Sequence, residues 1–141
     1  MNDFISDEIK KIIKKHGTTS AIELTKLCGC NIIYTDLDED MLGFTVTNNR
    51  CNTIVIHNDL EEHIQTFVIL HELGHVRLHK GISTPFFKRI NGNNYIPKIE
   101  KEANEFAFAI LCKDIENVNN MTVYEKLDFL GLPYELERFI K

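Results

Sequence analysis

Residues 71–75 read His-Glu-Leu-Gly-His, which is an H-E-x-x-H pattern. Side chains four positions apart on an α-helix lie on the same face, so the imidazoles of His71 and His75 can bind one metal ion. Glu72 lies beside that face, where its carboxylate can reach a water molecule on the metal rather than the metal itself. The pattern therefore predicts a hydrolytic metal centre with Glu72 as its general base.

The two histidines have a second interpretation, as ordinary core residues whose rings hydrogen-bond to the backbone. For a lone histidine we would favour that interpretation. A pair of histidines on one buried face, with a glutamate between them, favours the metal, because both rings then need a partner in the same place.

The helix that carries this motif is predicted to run from about residue 60 to residue 79. Asp59 and Glu62 have the spacing of a capping box at its start. One apolar strip shares the face of the histidines, and a second lies on roughly the opposite side. The first strip contains Leu60, Ile64, Phe67, Gly74 and Leu78, and the second contains Ile69, Leu73 and Val76. A helix that is apolar on two sides is expected at the centre of a fold.

A third metal ligand must come from elsewhere in the chain, because catalytic zinc usually takes three protein ligands and leaves one position for water. The extended metzincin motif is absent. Leu78 stands where its glycine would be, and Gly81 stands where its third histidine would be.

A second helix is predicted over about residues 98–112, and it opens with an acidic cluster. Glu100 lies on the edge of the apolar stripe of this helix, with Asn104 one turn further along the same edge. Glu102 and Glu105 project from the polar side. This phasing favours Glu100 as the third ligand. It also allows Asn104 to orient an imidazole by a hydrogen bond, without binding the metal itself.

The combination of H-E-L-G-H with E-x-E-A-N-x-F-A at residues 100–107 resembles the ImmA/IrrE family of zinc metallopeptidases. The resemblance extends from about Ala21 to the end of the chain. It implies an α+β, zincin-like fold in which a small β-sheet packs on the H-E-x-x-H helix. It also implies one Zn²⁺ per chain, held by the two histidines and Glu100, with Glu72 as the base.

The family resemblance is incomplete at the end of the second helix. Leu-Cys-Lys-Asp at residues 111–114 stands where family members commonly have Leu-Leu-Met-Pro. This departure lies outside the predicted metal site.

The resemblance further implies site-specific cleavage of a repressor protein of a phage or mobile element. Two rival functions remain open. One is a zinc-binding regulatory module that inactivates a repressor by binding without proteolysis, and the other is a toxin-like or housekeeping peptidase. The residues do not identify the substrate, and a repressor gene next to this one would favour the first two functions.

A long segment, residues 80–97, separates the two ligand helices and contains several glycines, prolines and asparagines. Long loops in compact domains are often lids or binding loops. Tyr95 is a candidate hydrogen-bond donor to an oxyanion, although it could equally anchor the loop. His79 follows His75 by one turn, about 6 Å along the axis. We expect it behind the ligands or against substrate rather than on the metal.

The remaining elements complete the predicted α+β fold. Helices are predicted at 6–16, capped by Ser6, and from a capping box at Ser20 to Gly29; a further capping box at Thr122 opens a helix near the end of the chain. A strand is predicted at 31–34. Two β-rich runs, 43–47 and 53–57, form a hairpin that leads into the metal helix. The first run is either an edge strand that pairs with an extended substrate or simply a cover for the core.

Composition limits the remaining possibilities. The chain has 141 residues, 43% of them hydrophobic, and a formal net charge of −5. We therefore expect one domain over residues 1–141 and no direct binding of nucleic acid. The sequence has no membrane span and no secretory signal, so we expect the cytoplasm, where the four scattered cysteines would be free thiols. Oligomeric state is left open.

Overall fold

The protein has a mixed α+β architecture in the computed structural model, which describes residues 3–80, 86–87 and 97–134. The predicted fold class is confirmed. In chain order the elements are α1 (Asp3–His16), α2 (Ala21–Leu27), β1 (Cys30–Thr35), β2 (Met41–Asn48), β3 (Cys51–His57), α3 (Glu62–Leu78), β4 (Phe86–Phe87), α4 (Lys98–Leu111) and α5 (Val123–Leu130), with short 3-10 turns at Cys112–Asp114 and Val118–Asn120.

The four strands form one sheet in the order β1-β3-β2-β4. β2 and β3 are antiparallel, which confirms the predicted hairpin, whereas β1 pairs with β3 in parallel. Asn49 and Arg50 join β2 to β3 with φ angles of 51° and 67°. Two successive residues with positive φ are typical of a type I′ turn, whose twist matches that of the flanking strands.

β2 lies inside the sheet over its first half, because β4 pairs with it at Met41 and Gly43. Over the rest of its length β2 pairs only with β3 among the residues that the structure describes. Its Gly43 packs directly on α3, since a β-carbon there would lie 2.9 Å from Cγ1 of Val68. β2 thus covers the core, and its second half keeps one edge without a described neighbour.

α3 is the central helix of the fold, as its two apolar strips predicted. Nine consecutive residues, Phe67–His75, are buried. The sheet packs on one side of this helix and α4 on the other. The core around it is completed by Ile5, Ile9 and Ile12 of α1 and by Leu127 of α5. No helix within the described part of the chain is both long and apolar enough to cross a bilayer.

The predicted capping box at Asp59 is wrong. Glu61 is the N-cap of α3, and no side chain caps this end. The backbone N–H of Asp59 instead donates to Nδ1 of His57, 3.2 Å away, as the chain turns out of β3. A side chain two positions before the N-cap is too far back to reach the free amides of the first turn.

Two further caps differ from the sequence prediction, and one is confirmed. α1 begins at Asp3 rather than after Ser6, because burial of Ile5 extends the helix by a turn. Ser20 is the N-cap of α2, but its side chain makes no capping hydrogen bond. Thr122 and Glu125 do form the predicted capping box at the start of α5.

Gly74 sets the closest approach between α3 and α4. A β-carbon at this position would lie 3.2 Å from Cα of Ala103 and 3.3 Å from its carbonyl oxygen. These are backbone atoms of a packed helix, so they cannot rotate away.

We therefore expect Gly74→Ala to lower the free energy of unfolding by about 1–3 kcal/mol, although alanine is the better helix former. Denaturant titration measures this change, with Ala109→Gly on the partly buried side of α4 as a comparison for ordinary helix propensity. A Gly74→Ala protein as stable as the wild type would show that the two helices have room to separate.

Candidate metal centre

The helices α3 and α4 bring three predicted metal ligands together in the interior. Nε2 of His75 lies 3.2 Å from Nε2 of His71. Glu100 presents one carboxylate oxygen to each ring, with Oε2 at 3.2 Å from His71 Nε2 and Oε1 at 2.9 Å from His75 Nε2. Both histidines are buried, and the Glu100 side chain is 16% exposed.

These distances fit a small cation. Four ligand atoms at about 2.0–2.1 Å from a tetrahedral zinc ion lie about 3.3 Å from one another. The two imidazole nitrogens lie 3.2 Å apart, and each lies 2.9–3.2 Å from one oxygen of Glu100, which is close to that spacing. Nitrogen and oxygen donors also suit zinc, which binds imidazole and carboxylate readily.

The tautomer of His71 supports the same conclusion. Nδ1 of His71 donates to Oδ1 of Asn104 at 2.8 Å, which leaves a lone pair on Nε2 of the neutral ring. That lone pair is directed towards His75 and the carboxylate of Glu100. Buried acceptors that converge in this way repel one another unless a cation lies between them. Asn104 therefore occupies the orienting position that its helical phasing predicted.

His79 lies behind His75, on the side away from His71. The Nδ1 atoms of the two rings are 3.0 Å apart, and Nε2 of His79 lies 3.1 Å from Oε1 of Glu102. Both ring nitrogens of His79 are thus engaged. Glu102 was predicted to project from the polar side of α4. This prediction is wrong, because His79 at the end of α3 covers that position and contacts the Glu102 carboxylate.

Glu72 is 1% exposed, and its two carboxylate oxygens have different surroundings. The hydroxyl of Thr45, on β2, donates to Oε1 at 2.7 Å. Oε2 has no hydrogen-bond partner among the described residues, and it lies 3.7 Å from Nε2 of His71. Burial raises the pKa of the Glu72 carboxyl, and the neighbouring histidines and the Thr45 hydroxyl oppose that rise.

Glu72 and Glu100 both lie near the imidazoles, and their distances separate them. His71, Glu72 and His75 form a buried group whose possible ligand atoms lie within 4.8 Å of one another. Glu100 is nonetheless closer to each histidine than Glu72 is. This geometry favours Glu100 as the ligand and leaves Oε2 of Glu72 beside the centre, where a water molecule would be.

Thr45 is the contact that sequence reasoning missed. A signal for it existed in the alternation of β2, where Gly43 and Thr45 are the buried positions and therefore face α3. A polar residue on the buried face of a strand that leads towards a catalytic helix is a candidate partner for a buried carboxylate.

Tyr95 lies outside the described residues, as does most of the segment 80–97 that was predicted to be a functional loop. Tyr95 therefore stays a prediction as an oxyanion donor.

Asp36, His57 and Asp59 form a second group of possible ligand atoms within 4.8 Å. Its chemistry does not favour a metal. Nδ1 of His57 accepts the backbone N–H of Asp59, so the neutral ring carries its proton on Nε2 and offers no free lone pair.

The comparisons with known proteins agree with the geometry. The family model for the IrrE N-terminal-like domain, a peptidase family, matches residues 26–116. No solved structure matches the chain.

Two curated relatives are similar over most of this chain. The uncharacterized immunity region protein 2 of Bacillus phage phi105 is 36% identical over 110 residues, which are 78% of this chain and 69% of that protein. Metallopeptidase ImmA of Bacillus subtilis (strain 168) is 32% identical over 111 residues, 78% of this chain and 64% of the relative. The chain thus matches less than two thirds of the length of the second relative.

The family match includes both the H-E-x-x-H helix and the helix that carries Glu100. Each of the two relatives is similar over 78% of the chain. The residues that converge at the metal centre are the ones on which the family resemblance rested. The chain belongs to the ImmA/IrrE family of metallopeptidases.

Proposed function

We propose that this protein is a zinc-dependent endopeptidase that cleaves a repressor of a phage or mobile element. The observation that carries the proposal is the convergence of His71, His75 and Glu100 with the buried carboxylate of Glu72 beside them. The names of the relatives support the setting, since one is a metallopeptidase and the other belongs to a phage immunity region.

His71, His75 and Glu100 would hold the ion through Nε2, Nε2 and the carboxylate. When bound, zinc supplies a Lewis acid that makes water more acidic and polarises a carbonyl group. Asn104 keeps the lone pair of His71 Nε2 directed at the centre, and the carboxylate of Glu102, acting through His79, orients His75 in the same way.

Glu72 provides the proton transfers of peptide hydrolysis. Its Oε2 accepts a proton from the attacking water as the oxygen of that water bonds to the peptide carbonyl carbon. The same carboxyl then donates the proton to the leaving nitrogen as the C–N bond breaks. The hydrogen bond from Thr45 to Oε1 fixes the carboxylate so that Oε2, and not Oε1, faces the reacting atoms.

A hydrogen-bond donor would stabilise the oxyanion in addition to the ion. His79 is poorly suited to this role, because its two ring nitrogens already contact His75 and Glu102. This argument leaves Tyr95 as the candidate among the residues singled out from the sequence, and it assigns His79 to the positioning of His75.

The alternative of a binding module without proteolysis is disfavoured by Glu72. Its buried carboxylate lies beside the histidines without being needed as a ligand, which is the position of a general base. A protein that only binds its partner has no use for a base in this position. An enzyme that needs a base in a protected place does.

Incubation with a repressor encoded beside this gene tests the proposal. The zinc-loaded protein should convert the repressor into two fragments, visible by gel electrophoresis and by intact mass. A chelator should abolish the fragments, and added zinc should restore them. Binding of the intact repressor without fragments, in the presence of zinc, would overturn the endopeptidase and favour the binding module.

A further inference from the structure

A cavity of about 450 Å³ extends from the metal centre across the surface between the β2–β3 hairpin and the end of α3. Thr45, His75 and His79 line it at the metal centre. The rest of the described lining contains the polar or basic residues Thr47, Arg50, Asn52, Arg77 and Lys80, together with Cys28 and the apolar Val76.

The charge of this cavity is opposite to that of the chain. The formal net charge of the protein is −5, yet the described residues that line the cavity include three cations and no carboxylate. Arg77 is neutralised by Glu8, whose carboxylate lies 2.7 Å from its guanidinium. Arg50 and Lys80 are exposed, and neither forms an ion pair with any residue in the described parts of the chain. Within the described residues, the cavity therefore has two cations without an ion-pair partner.

The backbone at Arg50 provides an independent reason to assign this side chain a function. Arg50 is the second residue of the type I′ turn and has φ 67°. Glycine is strongly preferred there, because a β-carbon is strained in the left-handed conformation. Strained residues cluster at functional sites, where the surrounding structure holds them in a conformation that the site uses.

We propose that this cavity binds an acidic side chain of the peptide substrate, close to the scissile bond, through Arg50 and Lys80. The inference rests on the proposed peptidase function, since the cavity opens beside His75. A peptide whose carbonyl group lies at the metal centre would continue past Thr45 towards the hairpin. An aspartate or glutamate on that segment meets the two unpaired cations, whereas a lysine or arginine is repelled.

A binding experiment tests this without requiring turnover. The zinc-loaded Glu72→Gln protein, labelled with a fluorophore, is applied to an array of random decapeptides at two salt concentrations. The bound peptides should be enriched in Asp and Glu, and the enrichment should weaken at high salt. The double variant Arg50→Glu/Lys80→Glu, in the same Glu72→Gln background, should lose the enrichment or reverse it towards Lys and Arg.

A matched control separates the cavity from overall charge. Lys14→Glu/Lys113→Glu reverses two exposed lysines that do not line the cavity, and it changes the net charge by the same amount. This variant should keep the acidic enrichment. An equal loss in both double variants, binding without acidic enrichment, or no binding at all would overturn the inference.

Hydrolysis is scored separately with a proteome-derived peptide library and mass spectrometry. Cleavage of peptides by the wild-type enzyme without an acidic preference overturns the cavity assignment alone. Acidic enrichment on the array without any cleavage supports the cavity and counts against the peptidase. The two proposals therefore fail in distinguishable ways.

Arg50→Gly gives a second, stability-based test. Relief of the left-handed strain should leave the melting temperature equal to or above that of the wild type, so loss of folding does not explain lost function. The same variant should weaken binding of the acidic peptides from the array by roughly fivefold, the effect of one exposed ion pair. Unchanged peptide affinity would remove Arg50 from the site.

Discussion

Glu72→Gln should keep the metal and abolish most of the proteolysis. Glutamine preserves the size of the side chain and can still accept the hydrogen bond of the Thr45 hydroxyl, which is 2.7 Å from Oε1 in the wild type. It cannot accept a proton from water at the other position. Repressor cleavage should therefore fall by about 10²–10⁴-fold, the range associated with loss of a general acid–base group.

Three measurements on one preparation make this test decisive. Elemental analysis should give one zinc per chain, a binding assay should give an unchanged affinity for the repressor, and gel electrophoresis should show the loss of fragments. Glu62→Gln is the matched control, because it makes the same change on an exposed residue of the same helix. It should cleave as fast as the wild type.

The same variant separates the enzyme from the binding module inside the cell. If Glu72→Gln relieves repression of the partner's target gene as well as the wild type does, cleavage is not the mechanism. Inactivation by binding would then be the function, and the buried carboxylate would need another explanation.

The parts of the site that could be predicted from the sequence are those encoded by local periodicity. His71, His75 and Glu72 follow from the spacing on one helix. Glu100 and Asn104 follow from the edge of the apolar stripe on a second helix, and the structure brings them against the histidines. Helical phasing works on α4 because its buried residues follow one stripe, whereas on α3 the four-residue spacing alone places His71 and His75 on one face.

The contacts that could not be predicted depend on where two elements meet. Thr45 reaches Glu72 from a strand 27 positions away, and β1 joins β3 in parallel, an arrangement that no local pattern specifies. The sequence predicts Glu102 on the polar face of α4, because nothing in the local pattern shows that the end of α3 covers it. The wrong capping box at Asp59 has the same origin, since its backbone amide is satisfied by a histidine of the preceding strand.

Removal of the metal should lower stability as well as activity, because the ion would join α3 to α4 within the core. A ligand that binds only the folded state stabilises it by about 4 kcal/mol at a thousandfold excess over its dissociation constant. In a chain of this size that corresponds to a fall in melting temperature on the order of 10 °C upon chelation. Added zinc should reverse the fall.

Three variants on α4 should rank in a fixed order if the metal centre is as proposed. Glu100→Ala removes a ligand, so the purified protein should contain far less than one zinc per chain and should melt like the chelated wild type. Glu102→Ala removes only the carboxylate that holds His79 behind His75, and its zinc affinity should fall by about 10–100-fold. Glu105→Ala should bind zinc like the wild type.

This order is informative because the three glutamates share one helix and one kind of side chain. A general loss of helix stability would affect all three variants alike, and a loss of surface charge would do the same. The three residues differ in distance from the imidazoles, with Glu100 Oε1 at 2.9 Å from His75 Nε2 and Glu102 acting through His79. If Glu105→Ala or Glu102→Ala loses more zinc than Glu100→Ala, the third ligand is not Glu100, and the helical phasing that assigned it is wrong.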